Sequence, residues 1–223
     1  MKLCNRYRLH LISDEIYGLS VWDNPKVKDN VGFTSVLSID AAQFMDPSMV
    51  HVVWGLSKKL SLTNGLNKDF GATGIRMGCL ISQENRAFLD SAEGISLFNF
   101  PSSLADNITA KLLTDDQAVD RFVSLNQSRL AESYQFVTNF LRKHGIPYRE
   151  SNACLFVWVN LAAAVKGAPL SDEDILSKLS NEKVYVTSGS TYACEEEGWF
   201  RFVIAHPRNV LDEGLRRIAS AVL

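Results

Sequence analysis

The pattern of apolar and polar residues predicts short buried strands in the first half of the chain. Three brief, largely apolar runs lie at residues 9–13, 50–55 and 78–81. They are bounded by polar or glycine-rich segments, as strands commonly are. Because these runs lack strict apolar–polar alternation, we expect a sheet that helices cover on both faces.

Helical patterns follow these strands. Ser82 is predicted to cap one helix, and Pro101 is predicted to open a second. From residue 116 to residue 144 apolar side chains recur at spacings of three and four, which predicts a long amphipathic helix. Gly145 is suited to end that helix, because glycine readily adopts the left-handed backbone found at helix C-termini.

The last third of the chain alternates strands with shorter helices. Strands are predicted at 155–159, 184–187 and 199–205. Ser171 and Asp174 have the spacing of a capping box, and Asn209 is predicted to cap the last helix. We therefore expect an α/β part over residues 1–115 and a smaller α+β part over residues 116–223.

Composition and charge exclude several classes of protein. The 223 residues include 23 basic and 25 acidic side chains, and the formal charge of −2 argues against a nucleic-acid partner. The apolar fraction of 46% is typical of a globular protein and excludes a disordered tail. The sequence has no apolar run near the ~20 residues that span a bilayer, and its N-terminus lacks signal-peptide features. We therefore expect a cytoplasmic protein without a membrane partner.

The cysteines and histidines do not form a recognisable metal motif. These residues are Cys4, Cys79, Cys154, Cys194, His10, His51, His144 and His206. Their wide spacing lacks the paired ligands of zinc sites, so we expect no bound metal. Buried free thiols in a reducing compartment are the simplest interpretation of the cysteines.

Asp14 and Tyr17 follow the first predicted strand. Open α/β sheets bind ligands at the carboxyl ends of their strands, where a carboxylate can hold a positive charge on a ligand. Tyr17 lies three residues further on and can hydrogen-bond the same ligand. The alternative is that Asp14 only caps a turn or a helix.

A glycine-rich segment after the second strand contains Lys68 and Arg76. A lysine in such a turn can form a Schiff base, and an arginine can bind a phosphate through two hydrogen bonds. The alternative is an ordinary solvated lysine. The sequence GLSK at 55–58 recurs as GLNK at 65–68, which indicates a local insertion in a loop. Lys58 is therefore a second candidate for the same role.

Arg201 interrupts the aromatic and aliphatic run GWFRFV at 198–203. A guanidinium in such a strand needs a partner, and a substrate carboxylate would serve. The alternative is an edge strand from which Arg201 faces water.

Taken in order, these motifs resemble the pyridoxal-phosphate-dependent class I/II aminotransferases of fold type I. Within that family the sequence is most similar to the 1-aminocyclopropane-1-carboxylate synthase-like branch. The resemblance rests on HLISDEIY at 10–17 and on KDFG at 68–71 followed by RMG at 76–78. It implies the C-terminal part of a large domain, with an incomplete, mostly parallel sheet, followed by a small α+β domain.

The resemblance also implies a role for each candidate residue. Asp14 would pair with the pyridine nitrogen of pyridoxal 5′-phosphate, and Tyr17 would bond the phenolic oxygen of its ring. Lys68 would form the internal aldimine and carry the Cα proton, and Arg76 would bind the phosphate. Arg201 would bind the α-carboxylate of an α-amino acid substrate. The complete fold would form a homodimer.

The family pattern leaves the identity of the lysine open. Lys58 follows the strand at the usual spacing and is preceded by the usual Ser57. Lys68 precedes Arg76 by the eight residues that the family shows, but Asn67 stands where a small residue is usual. We favour Lys68, because one compact loop must reach both the phosphate and the Schiff base.

Two functional hypotheses follow. The family's N-terminal elements have no counterpart in the sequence, and Gly55 and Gly65 stand where many relatives carry a phosphate-binding serine. The first hypothesis is a pyridoxal-phosphate enzyme, either an aminotransferase or a lyase similar to 1-aminocyclopropane-1-carboxylate synthase. The second is a truncated, non-catalytic remnant or a partner subunit of a full-length relative.

Overall fold

The computed structural model describes residues 1–28, 30–56, 70, 72–98, 100–165 and 170–223. The chain divides into two compact units. The first comprises residues 1–21 and 32–126, and the second comprises residues 22–31 and 127–223. The expected assignment of a partial large domain to residues 1–115 and a small domain to residues 116–223 stays a prediction.

A three-stranded sheet is the centre of the first unit in the described residues. It contains β1 (Leu11–Asp14), β2 (Val50–Gly55) and β3 (Gly78–Ile81), after a short helix α1 (Lys2–Tyr7). β2 lies in the middle, parallel to β1 and antiparallel to β3. The three predicted strands are confirmed, although β1 begins two residues later than expected and includes Asp14.

Two helices follow this sheet, α2 (Arg86–Ser96) and α3 (Ser103–Leu113). The predicted cap of α2 was wrong. Asn85 caps this helix, because its side-chain oxygen accepts a hydrogen bond from the Phe88 amide at 2.9 Å. The Ser82 hydroxyl is instead hydrogen-bonded to the ring of His51.

The predicted long helix is α4 (Asp116–Lys143). Its residues up to Asn126 belong to the first unit and the remainder to the second. Its buried side chains are Leu130, Tyr134, Val137, Thr138 and Leu141. Gly145 follows the helix with a φ of +65°, the left-handed conformation that favours glycine at this position.

The second unit contains an antiparallel sheet in the order β4–β6–β5. Its elements are β4 (Phe156–Asn160), α5 (Asp172–Asn181), β5 (Thr187–Ser188), β6 (Trp199–Val203) and α6 (Arg208–Val222). The predicted capping box of α5 is confirmed, with Ser171 and Asp174 bonded reciprocally. Two other predictions were wrong, since β5 is shorter and later than 184–187, and Pro207 rather than Asn209 occupies the cap of α6.

The core of the second unit comes from alternate residues of its strands and from one face of each helix. The buried strand residues are Val157, Val159, Phe200 and Phe202. The buried residues of α5 and α6 are Ile175, Leu179, Leu211, Leu215, Ile218 and Val222, in addition to those of α4 given above. The opposite face of β4 and β6 is half-buried apart from Trp199 and carries Phe156, Trp158 and Arg201.

Candidate functional site

Asp14 and Arg76 lie at the same end of the sheet in the first unit. Asp14 is the last residue of β1 and pairs in register with Val53, near the carboxyl end of the parallel β2. The antiparallel β3 begins at Gly78, opposite Gly55, and Arg76 precedes it by two residues. An exposed carboxylate and an exposed guanidinium therefore share the carboxyl end of β1 and β2.

The backbone before β3 is closely packed against β2. A Cβ atom on Gly55 would lie 2.8 Å from the Gly78 Cα and 2.9 Å from the Met77 carbonyl oxygen. The Leu56 amide donates to that same carbonyl at 3.1 Å. Arg76 itself has a φ of +56°, so its backbone is in the left-handed region just before the strand.

Glu15 fixes the turn that carries Asp14 and Tyr17. Its carboxylate is buried, and one oxygen accepts hydrogen bonds from the Val36 amide at 2.8 Å and the Ser13 hydroxyl at 3.1 Å. Its carbonyl accepts from the amide of Gly18 at 3.0 Å, which closes the turn after β1. Asp14 is exposed and Tyr17 is half-buried on either side of this anchor.

Both candidate lysines, Lys58 and Lys68, lie outside the described residues. The choice between them therefore stays a prediction. Of the residues described next to them, Phe70 is buried in an aromatic cluster. Its ring stacks on Phe122 with centroids 5.1 Å apart and meets Trp54 edge-on at 6.2 Å.

Arg201 lies at the centre of the sheet in the second unit. β6 is the middle strand, so the alternative of an edge strand was wrong. Arg201 pairs in register with Trp158 of β4 on one side and with Thr187 of β5 on the other. The residue is half-buried on the sheet face that does not form the core.

Two aromatic rings contact the guanidinium of Arg201. Its Cζ lies 4.1 Å from the centroid of Phe156 and 4.3 Å from the centroid of Tyr192. Its Nε atom is buried and has no hydrogen-bond partner. Within the described part of the chain, no carboxylate forms an ion pair with this arginine.

Sequence reasoning missed a pair of histidines at the other end of the first sheet. His51 is fully buried, with its Nε2 2.8 Å from His10 Nδ1 and its Nδ1 2.9 Å from Ser82 Oγ. Burial lowers the pKa of His51, and the nearby His10 lowers it further. A prediction that β1 pairs in parallel with β2 would have placed these rings together, because His10 and His51 then lie at the same end of adjacent strands.

The described residues contain no cluster of three or more metal-ligating side chains and no helix that is long and apolar enough to cross a membrane. The sheet ends and the exposed Asp14 and Arg76 define an α/β ligand-binding scaffold. The family model for class I and II aminotransferases matches residues 1–218. The chain therefore belongs to the class I/II aminotransferase family, which confirms the resemblance seen in the sequence.

Individual relatives are similar over nearly the whole chain. The probable inactive 1-aminocyclopropane-1-carboxylate synthase-like protein 2 of Mus musculus is 34% identical over 97% of this chain and 34% of its own length. The 1-aminocyclopropane-1-carboxylate synthase of Glycine max is 33% identical over 100% of this chain and 44% of its own length. The chain thus spans less than half the length of these two relatives.

The fold is that of the solved aminotransferases. A double mutant of the Thermus thermophilus aspartate aminotransferase superposes with a TM-score of 0.77, over 99% of this chain and 50% of that one. Because only 19% of the aligned residues are identical, this likeness concerns the fold. The expected partial fold-type I architecture is confirmed, and members of this family depend on pyridoxal phosphate.

Proposed function

We propose that this chain belongs to a pyridoxal-phosphate-dependent enzyme that acts on an α-amino acid. The observation that carries the proposal is the position of Asp14 and Arg76 at one end of the first sheet, in a chain of the aminotransferase family. A carboxylate and a guanidinium suit the two polar ends of pyridoxal phosphate, its ring nitrogen and its phosphate. The described residues at this end of the sheet therefore fit the cofactor.

Each residue would make a distinct contribution. The carboxylate of Asp14 would hold the proton on the ring nitrogen, and the Tyr17 hydroxyl would donate to the ring oxygen. Arg76 would bind the phosphate, and its left-handed backbone directs the chain into β3. When bound, pyridoxal phosphate supplies an electron sink for the bonds at the substrate α-carbon.

In this proposal two further residues bind the substrate or move its proton. Arg201 would bind the α-carboxylate, which orients the substrate α-carbon. The ε-amine of Lys68 would hold the cofactor covalently and move a proton at that carbon. Transamination and an elimination similar to that of 1-aminocyclopropane-1-carboxylate synthase are both compatible with this set of residues.

The test is covalent labelling of the lysine. The protein is incubated with pyridoxal phosphate, reduced with borohydride and digested, and the modified peptide is identified by mass spectrometry. We expect a pyridoxyl group on Lys68 that is lost in Lys68→Ala and retained in the matched variant Lys58→Ala. Labelling of Lys58 alone would move the role to that residue. Absence of specific labelling on either lysine would contradict the proposal.

A second candidate is a non-catalytic member of the family. It is favoured by the 34% identity to a mouse relative that is named as probably inactive. It predicts a folded chain that gives no specific label, either as a non-catalytic remnant or as a partner subunit that associates with a full-length relative. Labelling and size-exclusion chromatography on the same sample separate the two candidates.

The assembly and the compartment also belong to this proposal. We infer a homodimer for the complete fold, as the family resemblance implies, and a cytoplasmic location, as expected from the sequence. Analytical ultracentrifugation of the purified chain measures whether this part of the fold is sufficient for the dimer, and a monomer at micromolar concentration would show that it is not. Fractionation of cells with an antibody against the native chain tests the location.

A further inference from the structure

The surroundings of Arg201 determine how an anion can reach its guanidinium. β6 is the middle strand, so its neighbours approach Arg201 from two sides. Phe156 comes from β4 on one side, and Tyr192 comes from the turn Gly189–Tyr192 that follows β5 on the other. The two rings therefore approach the guanidinium from the two sides of β6, and each ring centroid lies within 4.3 Å of Cζ.

Rings this close to Cζ limit the directions from which a ligand can approach the planar cation. An arginine favours this arrangement, because its delocalised charge is attracted to the aromatic faces and is weakly hydrated. Rings on two sides of the cation would leave its plane as the open approach, so we expect ligands to reach the N–H groups in that plane. Because Nε is buried without a hydrogen-bond partner, a bound acceptor would satisfy a group that the protein leaves unpaired.

We propose that Phe156 and Tyr192 are positioning residues that make Arg201 selective for a planar carboxylate over a tetrahedral anion. A carboxylate places both oxygens in the guanidinium plane and makes two parallel hydrogen bonds. A phosphonate that makes the same bonds projects its third oxygen out of this plane, towards one of the rings. This inference rests on the proposed role of Arg201 and adds the residues that set its specificity.

Arg149 provides a matched comparison within the same unit. Its Cζ lies 4.9 Å from the centroid of Trp199, and the described structure places no second ring over it. Arg149 is also exposed, whereas Arg201 is half-buried. Because one described ring lies over Arg149, we expect this arginine to bind planar and tetrahedral anions equally well.

The experiment measures anion binding to the purified chain without cofactor. Acetate and methylphosphonate are titrated at a pH where each carries one negative charge, and the arginine Nε–H signals are followed by NMR. For the wild type we expect the Arg201 signal to shift with acetate at a concentration about tenfold lower than with methylphosphonate. The Arg149 signal should respond equally to both anions.

Substitutions of Tyr192 separate the ring from its hydroxyl. Tyr192→Phe keeps the ring and should retain the preference for acetate, whereas Tyr192→Leu should reduce it to near equality. Phe156→Leu should reduce the preference in the same way. The amide spectrum of each variant shows whether the second unit is folded, and Arg149→Gln is the control that should change nothing at Arg201.

Two results would overturn the inference. One is equal binding of both anions in the wild type, and the other is an unchanged preference in folded Tyr192→Leu and Phe156→Leu. Failure of the proposed enzyme function is detected separately, because lysine labelling by pyridoxal phosphate does not require Arg201. A labelled chain without anion selectivity would reject only this inference.

Discussion

Nε2 of the buried His51 lies 2.8 Å from Nδ1 of the exposed His10, and the two rings stack with centroids 5.1 Å apart. A contact this short between two ring nitrogens holds one hydrogen, so one nitrogen donates and the other accepts. On its other side His51 is bonded to Ser82 Oγ and packs against Phe88 with centroids 4.1 Å apart. A second proton between the rings would break the contact, and the pair can therefore hold only one positive charge.

The first prediction is a loss of stability in mild acid that originates at His51. Its pKa is lowered in the folded state, so the unfolded chain binds this proton first as the pH falls. The stabilisation is thus complete above the ordinary histidine value and is lost progressively below it. Thermal unfolding between pH 8 and pH 5 measures this loss, which should shrink in His51→Asn.

His206→Gln is the matched control, because His206 is exposed in the structure. It should leave the pH dependence of unfolding as in the wild type. Near the pair, Asp46 interacts with His10, and Ser82 is neutral. A wild-type pH dependence that survives in His51→Asn would contradict this assignment.

The second prediction concerns the carboxylate of Glu15. Glu15→Ala leaves the amide of Val36 without its acceptor and should destabilise the first unit by about 1–3 kcal/mol. Glu15→Gln keeps an acceptor oxygen and should recover most of that loss. Urea unfolding gives the free energies, and hydrogen exchange at the Val36 amide reports the contact itself. Exposed Glu84→Ala is the control and should have little effect.

The third prediction concerns Asp172, at the start of α5. Its two carboxylate oxygens accept from the Ser188 hydroxyl at 2.6 Å and from the Gly198 amide at 2.7 Å. Asp172→Ala should cost about 1.5–3 kcal/mol, because hydrogen bonds to a charged group are the stronger kind. The neighbouring, exposed Glu173→Ala should change the urea midpoint little. Equal effects of the two substitutions would contradict the role of Asp172.

The fourth prediction concerns the close approach of β2 and β3. Gly55→Ala places a Cβ atom 2.8 Å from the Gly78 Cα, so the strands must separate, at a cost of about 1–3 kcal/mol. Gly74→Ala has no atom within 4 Å and serves as the control. Unfolding by urea should distinguish them, and a Gly55→Ala variant as stable as the control would disprove the close packing.

The sequence predicted those features that depend on local chemistry. The 28-residue helix α4 follows from its apolar spacing, and the capping box of α5 follows from Ser171 and Asp174. Ser82 was mistaken for a helix cap because its neighbours in the chain do not reveal that a buried histidine bonds its hydroxyl. Asn209 lies inside α6, since the helix begins directly after Pro207.

The candidate site was predictable only in part, for a similar reason. The position of Asp14 at the end of a strand follows from the apolar run that precedes it. The rings around Arg201 could not be foreseen, because Phe156 and Tyr192 meet it only through the order β4–β6–β5. Strand order depends on contacts between residues that are far apart in the sequence, and a single sequence does not display those contacts.

The pairing of Gly55 with Gly78 also affects how the chain can change during evolution. β3 runs antiparallel to β2, so the chain leaves the sheet at Gly55 and re-enters it opposite, at Gly78. The Leu56 amide donates a hydrogen bond to the Met77 carbonyl at this point. The pairing of β2 with β3 therefore does not fix the number of residues in between. An insertion such as the one predicted from GLSK and GLNK, which lies outside the described residues, would leave the register of β2 and β3 unchanged.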